Sequence, residues 1–176
     1  MARTQQPWNV PIRVDDVPET GRRVELTADE ATRNGIAAAA GVNGVTRLEA
    51  TFDLARHGRS GLHVVGGISA TVRQTCVVTL EPLSNEVSES IDLLFAPARA
   101  HSGAASQTAA EAAELPEPIV DGMIDLGAVA TEFLILGIDP YPRKPGAVFE
   151  APRRDQEATA FAALAALKKH DGETGR

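Results

Sequence analysis

The clearest pattern in the chain is a two-residue alternation of apolar and polar positions across residues 62–97. Most of its apolar positions before residue 80 share one parity: Leu62, Val64, Ile68, Ala70, Val72, Cys76 and Val78. Its apolar positions after residue 85 repeat that spacing: Val87, Ile91, Leu93 and Phe95. A period of two predicts strands with one buried face. The turn-rich Glu-Pro-Leu-Ser-Asn at residues 81–85 separates them, so we expect a long antiparallel hairpin with a cysteine near its tip.

Further strands are predicted on the N-terminal side of this hairpin. Residues 45–55 alternate in the same way, and a glycine-containing turn at residues 57–61 would connect them to the hairpin. Residues 10–14 predict a short edge strand, because the proline within them cannot donate to a central ladder. Gly66 and Gly67 interrupt a predicted strand, and we expect a bulge or a sharp coil there that curls the sheet.

Two segments carry the signals of helix starts. Thr27 and Glu30 have the spacing of a capping box, which predicts a helix over residues 28–40. Asp125 is a candidate cap for a second helix over residues 126–136. Each predicted helix is followed directly by a glycine, which is typical of a helix end.

These elements predict an α+β domain. We expect a curled antiparallel sheet, or a partly open barrel, of about five or six strands with two packed helices. Residues 98–117 lack large apolar side chains apart from Leu115, so we expect a flexible loop there. We place this single domain at residues 1–150, and predict a C-terminal amphipathic helix and a polar tail in residues 151–176.

Acidic residues are concentrated in one part of the chain. The net charge is −7, and residues 81–125 carry nine acidic side chains and a single basic one, Arg99. One interpretation is a solvated acidic loop that favours solubility, and the other is a patch that meets a basic partner such as a ribosomal protein. The acidic total argues against indiscriminate nucleic-acid binding, although a local basic patch can still contact RNA.

The cysteine count and the hydropathy exclude several classes of protein. A single cysteine forms no internal disulfide and no multi-cysteine metal cage. The chain has no basic start followed by an apolar run, and no uninterrupted apolar span long enough for a bilayer. We therefore expect a cytoplasmic protein with no membrane contact, no metal, no cofactor and no identified small-molecule substrate.

Two sets of residues are candidates for catalysis. Cys76 becomes a nucleophile only where a histidine or another basic group lowers the pKa of its thiol, and its strand parity favours a small buried hydrophobic side chain instead. Asp121, Asp125 and Glu132 form a candidate acid–base set, but Asp125 is better explained as a helix cap. Because the chain has no Walker loop, GxGxxG, HExxH or GxSxG motif, we assign no catalytic residue.

The segment Tyr-Pro-Arg-Lys-Pro at residues 141–145 is the main candidate for partner binding. It combines an aromatic ring and two adjacent cations with a stiff backbone that loses little entropy on docking. Base stacking with phosphate contacts uses these residue types, and so does binding to another protein. The remaining alternative is that this segment packs over its own sheet. We predict a partner-binding strip made of Tyr141, Arg143, Lys144, Arg153 and Arg154.

The order and spacing of several segments resemble the YceD family of bacterial proteins, in its alphaproteobacterial branch. The resemblance covers most of the chain after residue 45. The segments that carry it are Cys76 with Leu80-Glu81-Pro82, residues 87–95, Ile124-Asp125-Leu126-Gly127 with Glu132, residues 134–136, residues 139–146 and Phe161-Ala162-Ala163-Leu164. The resemblance implies a role in accumulation of large-subunit ribosomal RNA, with no known catalytic activity and no established active site.

The chain departs from this family at one point. Many members of the family have a CxxC pair at the strand end where Cys76 lies and further cysteines near the C-terminus, a pattern that suggests zinc. Here Thr79 occupies the second position of the pair, and residues 139–144 contain prolines and cations. A single thiolate does not make a structural zinc site, so we expect no metal in this chain.

We therefore expect a non-enzymatic ribosome-biogenesis factor that binds ribosomal RNA or a large-subunit ribosomal protein. One alternative is a protein-interaction module unrelated to RNA that uses the acidic residues 81–125 and the C-terminal helix. Another is a thiol-dependent or hydrolytic enzyme built on Cys76 or the late carboxylates, which requires an exposed thiol near a base in an open cleft.

Overall fold

The computed structural model describes residues 6–58, 60–97 and 116–149. The chain divides into two units, Met1–Lys144 and Pro145–Arg176. In the second unit, a turn at its first two residues is followed by residues 147–149, which have no regular secondary structure. Most of the predicted loop at residues 98–117 and the predicted C-terminal helix lie outside the described residues. The predicted domain boundary at residue 150 stays a prediction.

In its described residues the first unit contains seven strands and two α-helices. In chain order they are β1 (Pro11–Arg13), β2 (Arg22–Thr27), α1 (Glu30–Ala40), β3 (Gly44–His57), β4 (Gly61–Thr75), β5 (Pro82–Pro97), β6 (Glu117–Ile119), β7 (Met123–Asp125) and α2 (Leu126–Gly137). A short 3-10 helix, Val14–Asp16, follows β1.

Five strands form one curled sheet in the order β2-β3-β4-β5-β6, and β1 pairs with β7 in a separate two-stranded sheet. The predicted α+β class and the predicted central hairpin are confirmed, since β4 and β5 pair antiparallel from Leu62↔Phe95 to Thr75↔Pro82. The sheet is not purely antiparallel, because β6 runs parallel to the end of β5. It also stays open and does not close into a barrel.

One face of the curled sheet is buried and the other is solvated, as the two-residue alternation predicts. The two helices pack with the buried face into one core. The largest fully buried side chains of this core are Phe52, Ile36, Leu48, Leu54, Leu62, Ile91, Leu126 and Leu134. The opposite face therefore remains available to solvent over β2 to β5.

The predicted start of α1 is wrong by two residues. Asp29, and not Thr27, is the N-cap, because its carboxylate accepts the N–H of Thr32 at 2.8 Å. Thr27 is instead the last residue of β2. The predicted end is confirmed, since Gly41 adopts the left-handed conformation with φ 67°.

The predicted cap of α2 is confirmed, and it does more than cap the helix. Asp125 accepts the N–H groups of Gly127 and Ala128 at 3.0 and 3.1 Å. The same carboxylate accepts the N–H of Val10 at 2.8 Å and the side-chain amide of Asn9 at 2.8 Å. Asp125 thus joins the start of α2 to the segment that leads into β1.

The predicted bulge at Gly66 and Gly67 is wrong. Both residues pair in continuous register with β3, and the register shift between β3 and β4 lies at Val45/Arg47 instead. The reason for glycine at position 66 is close approach of the neighbouring strand. A Cβ there would overlap the carbonyl oxygen of Thr51 and lie 3.0 Å from the Cα of Phe52.

We expect Gly66→Ala to lower the free energy of unfolding by about 3 kcal/mol, because the overlap with β3 backbone cannot be relieved by a side-chain rotation. Gly58→Ala is the matched control: its Cβ meets no atom within 4 Å, and only its φ of +62° is unfavourable. Gly58→Ala should lower the free energy of unfolding by about 1 kcal/mol. Urea unfolding measures both, and equal losses would contradict the steric explanation.

Candidate functional site

Residues 139–144, called the arm below, run without regular secondary structure past the tip of the β4–β5 hairpin. The N–H of Val77 donates to the carbonyl of Pro142 at 2.9 Å. The side-chain amide of Gln74 donates to the carbonyl of Asp139 at 2.8 Å. Both Pro142 and Gln74 are buried. The arm is therefore fixed to the hairpin over most of its length.

The sulfur of Cys76 completes this attachment. Sγ accepts the backbone N–H of Thr79 at 3.4 Å and the backbone N–H of Lys144 at 3.3 Å. Cys76 is 0% exposed, so its predicted burial is confirmed. Its interpretation as a plain hydrophobic side chain is incomplete, because the sulfur is a hydrogen-bond acceptor shared by the hairpin tip and the arm.

Hydrogen bonding by the Thr79 side chain and by nearby backbone N–H groups lowers the pKa of the Cys76 thiol from 9.0 to about 6. The largest cause is the Thr79 side chain, followed by the backbone N–H groups of Lys144, Thr79 and Val78, while desolvation acts in the opposite direction. No histidine is among the hydrogen-bond partners of Cys76 in the part of the chain that the structure describes. Hydrogen-bond donors, and not a neighbouring base, thus favour the thiolate.

The hairpin tip, residues 76–81, is closed by two backbone hydrogen bonds and contains a strained residue. Cys76 N–H donates to the carbonyl of Glu81 at 2.8 Å, and Leu80 N–H donates to the carbonyl of Cys76 at 3.0 Å. Leu80 has φ 60°, a conformation that costs a non-glycine residue about 1 kcal/mol or more. Its side chain is nevertheless 76% exposed, so packing within the described residues does not explain the choice of leucine.

The arm presents two of the predicted partner-binding residues to solvent. Tyr141 is 71% exposed, and its backbone N–H donates to the Asp139 carboxylate at 2.8 Å. Arg143 is also exposed, and within the described residues it forms no ion pair. The ring and the guanidinium group are thus accessible on a backbone that the hairpin holds.

The remaining predicted residues are placed differently. Lys144 is exposed, but its ammonium group lies 2.9 Å from the carboxylate of Glu81 and lowers the pKa of that carboxyl. Arg153 and Arg154 lie outside the described residues. The five residues together stay a prediction as a binding strip.

Sequence reasoning missed two apolar members of this surface. Val77 is 45% exposed and Leu80 is 76% exposed, both on the hairpin tip. The alternation that assigns apolar residues to the buried face ends with β4 at Thr75, so it does not apply in the tip. The predicted turn at residues 81–85 is wrong in position, because the tip spans residues 76–81 and residues 82–85 already belong to β5.

The late acidic residues meet at one groove but do not form a free acid–base set. Asp121, Asp125 and Glu132 line an open cavity of about 340 Å³. Asp125 is occupied by its helix-capping and β1 contacts. Among the described residues, no group of three or more histidine, cysteine or acidic side chains is arranged to hold a metal ion.

The solvated face of the sheet is polar and its charges are largely paired. Arg47 bridges Glu49 at 3.0 Å and Glu86 at 2.9 Å. His63 lies 2.7 Å from the carboxylate of Asp92. No phenylalanine, tyrosine or tryptophan lies among the described residues of this face, and its one imidazole, that of His63, is bonded to Asp92, so the face lacks the row of stacking rings found in sheets that bind single-stranded RNA.

The lowered pKa of Cys76 predicts a specific pH dependence. Between pH 6 and 9 the unfolded state binds more protons at this thiol than the folded state does, so the free energy of unfolding should rise with pH. That gain is lost as the pH falls through about 6. Urea unfolding of the wild type and of Cys76→Ser at several pH values measures it. A difference between the two proteins that does not change across this window would contradict the assignment.

Relief of the strain at Leu80 should stabilise the protein. Asparagine tolerates the left-handed conformation better than leucine, so we expect Leu80→Asn to raise the free energy of unfolding by about 0.5–1 kcal/mol. Val77→Asn is the control, because it also removes an exposed apolar side chain but no strain. Thermal or urea unfolding measures the stability of both variants. A Leu80→Asn protein that is less stable than Val77→Asn would contradict the inference that Leu80 is strained.

No helix among the described residues is long and apolar enough to cross a membrane.

The chain was compared with curated proteins, solved structures and protein-family models. No curated protein and no solved structure matches the chain. A protein-family model does match, over residues 64–168, and its description is Large ribosomal RNA subunit accumulation protein YceD. This match covers more than half of the 176 residues. The chain belongs to the YceD family.

Proposed function

We propose that this protein supports accumulation of large-subunit ribosomal RNA without catalysing a reaction, by binding ribosomal RNA or a large-subunit ribosomal protein in the cytoplasm. The family match supports the ribosomal context. The observation that carries the binding role is an exposed tyrosine and an exposed arginine on an arm that is fixed to the hairpin tip. We propose this arm and the tip as the binding surface.

The chemistry of the arm fits a ribosomal partner. The Tyr141 ring can stack on an unpaired base or pack into an apolar pocket of a protein. The Arg143 guanidinium can bind a phosphate or a carboxylate in bidentate geometry. Because hydrogen bonds to Val77, Cys76 and Gln74 already hold the arm, binding would cost little further backbone entropy.

The strained Leu80 supports the same surface. Strain that persists at an exposed residue is often retained for function, since packing does not require it. Leu80 and Val77 would add apolar contact beside the arm, and Lys144 would contribute positive charge shared with Glu81. Arg153 and Arg154 would extend the positive strip. No cofactor or metal enters this proposal.

A thiol-dependent enzyme is the alternative supported by one observation, the lowered pKa of Cys76. A nucleophilic role also requires access to substrate, and Cys76 is fully buried. Iodoacetamide treatment of the native protein distinguishes a catalytic thiol from a structural one. A thiol that reacts as fast as free cysteine would favour the enzyme, and a thiol that resists alkylation until the protein unfolds would favour the structural role.

The binding surface is tested by sedimentation of the tagged protein through a ribosome gradient. We expect the wild type to co-migrate with large-subunit precursors, and Tyr141→Ala/Arg143→Ala to lose about tenfold or more of this association. Arg22→Ala is the control, because it removes an exposed cation from β2, away from the arm. Undiminished co-migration of the double variant would contradict the site.

Two further measurements sharpen the result. Ribonuclease treatment distinguishes the partners, since RNA binding would be lost and a complex with a ribosomal protein would survive. Leu80→Asn should weaken the association while raising the stability of the protein, so misfolding cannot explain the loss. A Leu80→Asn protein that co-migrates like the wild type would limit the surface to the arm.

A further inference from the structure

The outer edge of β5 is a second candidate interaction surface, separate from the arm. On one side β5 pairs with β4 from Pro82 to Phe95. On the other side, among the described residues, β5 pairs only with β6, through Phe95↔Glu117, Ala96↔Pro118 and Pro97↔Ile119. Within the described ranges, the stretch from Pro82 to Leu94 thus presents an unpaired edge, and such edges are templates for an added strand.

The register shows which backbone groups face outward. Cys76 N–H donates to the carbonyl of Glu81, so this pair is hydrogen-bonded across the hairpin. Hydrogen-bonded and non-hydrogen-bonded pairs alternate along an antiparallel ladder, and the β4–β5 register has no shift. The odd-numbered residues of β5 therefore bond to β4. The even-numbered ones direct their N–H and C=O groups to the outer edge: Ser84, Glu86, Ser88, Ser90, Asp92 and Leu94.

The charge of this edge is one-sided. β5 contains Glu86, Glu89 and Asp92 and no basic residue. Arg47 is shared between Glu86 and Glu49, and His63 bonds to Asp92, so these neighbours offset the acidity only in part. An incoming strand that carries positive charge would be attracted, and an acidic one would be repelled.

The side chains along the edge also favour a partner strand in which basic and apolar residues alternate. The even-numbered side chains form the polar, acidic border of the solvated face, with Glu86 and Asp92 fully on it. On the opposite face, Leu83 and Leu93 are only partly buried at the border of the core. An added strand would place basic residues beside the acids and apolar residues beside these leucines.

We propose that the outer edge of β5 receives an extended basic segment of a partner protein, in which cationic and apolar residues alternate, as an added strand of the sheet. Backbone hydrogen bonds to Ser84, Glu86, Ser88 and Ser90 supply the attachment, and the acidic side chains select positive charge. The arm uses none of these groups, so either surface can bind its partner when the other is altered.

The test uses a fluorescent, acetylated peptide of alternating lysine and valine, long enough to span Ser84 to Leu94, and the full chain. We expect saturable binding by anisotropy, and slowed amide exchange at Ser84, Ser88 and Ser90 when the peptide is bound. Ser90→Pro removes one outward N–H without breaking the ladder to β4 and should weaken binding about tenfold. Ser90→Ala keeps that N–H and should bind within about twofold of the wild type.

Four results would overturn the proposal. The first is equal binding of the peptide by Ser90→Pro and Ser90→Ala, and the second is that a glutamate–valine peptide binds as tightly as the lysine–valine peptide. The third is exchange protection that maps away from β5. The fourth is protection of the edge amides in the free protein, which would show that the edge is already occupied. If Ser90→Pro does not fold, Glu86→Gln/Asp92→Asn replaces it and should weaken binding by a similar factor. Tyr141→Ala/Arg143→Ala should bind the peptide normally, which keeps this test independent of the arm.

Discussion

The attachment of the arm to the hairpin tip through the sulfur of Cys76 is the contact on which the candidate site depends. Two separate parts of the chain meet at one atom, since Sγ accepts an N–H from Thr79 in the tip and an N–H from Lys144 in the arm. The adjacent bond between Val77 and Pro142 supports the same junction. Without this junction, Tyr141 and Arg143 would lie on a flexible segment and would not form a defined surface.

The sequence predicted the sheet well because burial on one face imposes a period of two on every long strand. It placed β3, β4 and β5, the cap at Asp125 and the burial of Cys76. It did not predict that β6 runs parallel, because an alternation carries no information on strand direction. It placed the first helix cap at Thr27, because a hydroxyl with a glutamate three residues later fits a capping box as well as the carboxylate of Asp29 fits a simple cap.

The candidate site was predictable only in part, for a physical reason. The residue types in the arm, an aromatic ring beside two cations, made it a candidate for partner binding from the sequence alone, and this assignment stays a prediction. The acceptor role of the Cys76 sulfur was not visible, because its partner Lys144 is distant in sequence and donates through its backbone, which every residue possesses. The strain at Leu80 was likewise invisible, since the conformation is unusual for leucine and no turn signal marks it.

The solvated face, the hairpin tip with the arm, and the outer edge of β5 differ in charge and in the groups that they expose. Among its described residues, the solvated face has largely paired charges and no phenylalanine, tyrosine or tryptophan, so it has few groups that could bind RNA. The two binding surfaces that we propose lie instead at the arm with the hairpin tip and along the acidic edge of β5. In the part of the chain that the structure describes, the arm carries an aromatic ring and a guanidinium group without an ion-pair partner, and the edge of β5 carries negative charge and unpaired backbone groups. The two surfaces would therefore suit partners of opposite charge.

Amide hydrogen exchange at Lys144 tests the junction most directly, in the wild type and in Cys76→Ala. A sulfur that holds the arm predicts slow exchange of this amide in the wild type and faster exchange in the variant, while the amide of Ile68 in the middle of β4 stays protected in both. Exchange of the Lys144 amide at the rate of an unstructured peptide in the wild type, or at an unchanged slow rate in the variant, would contradict the account.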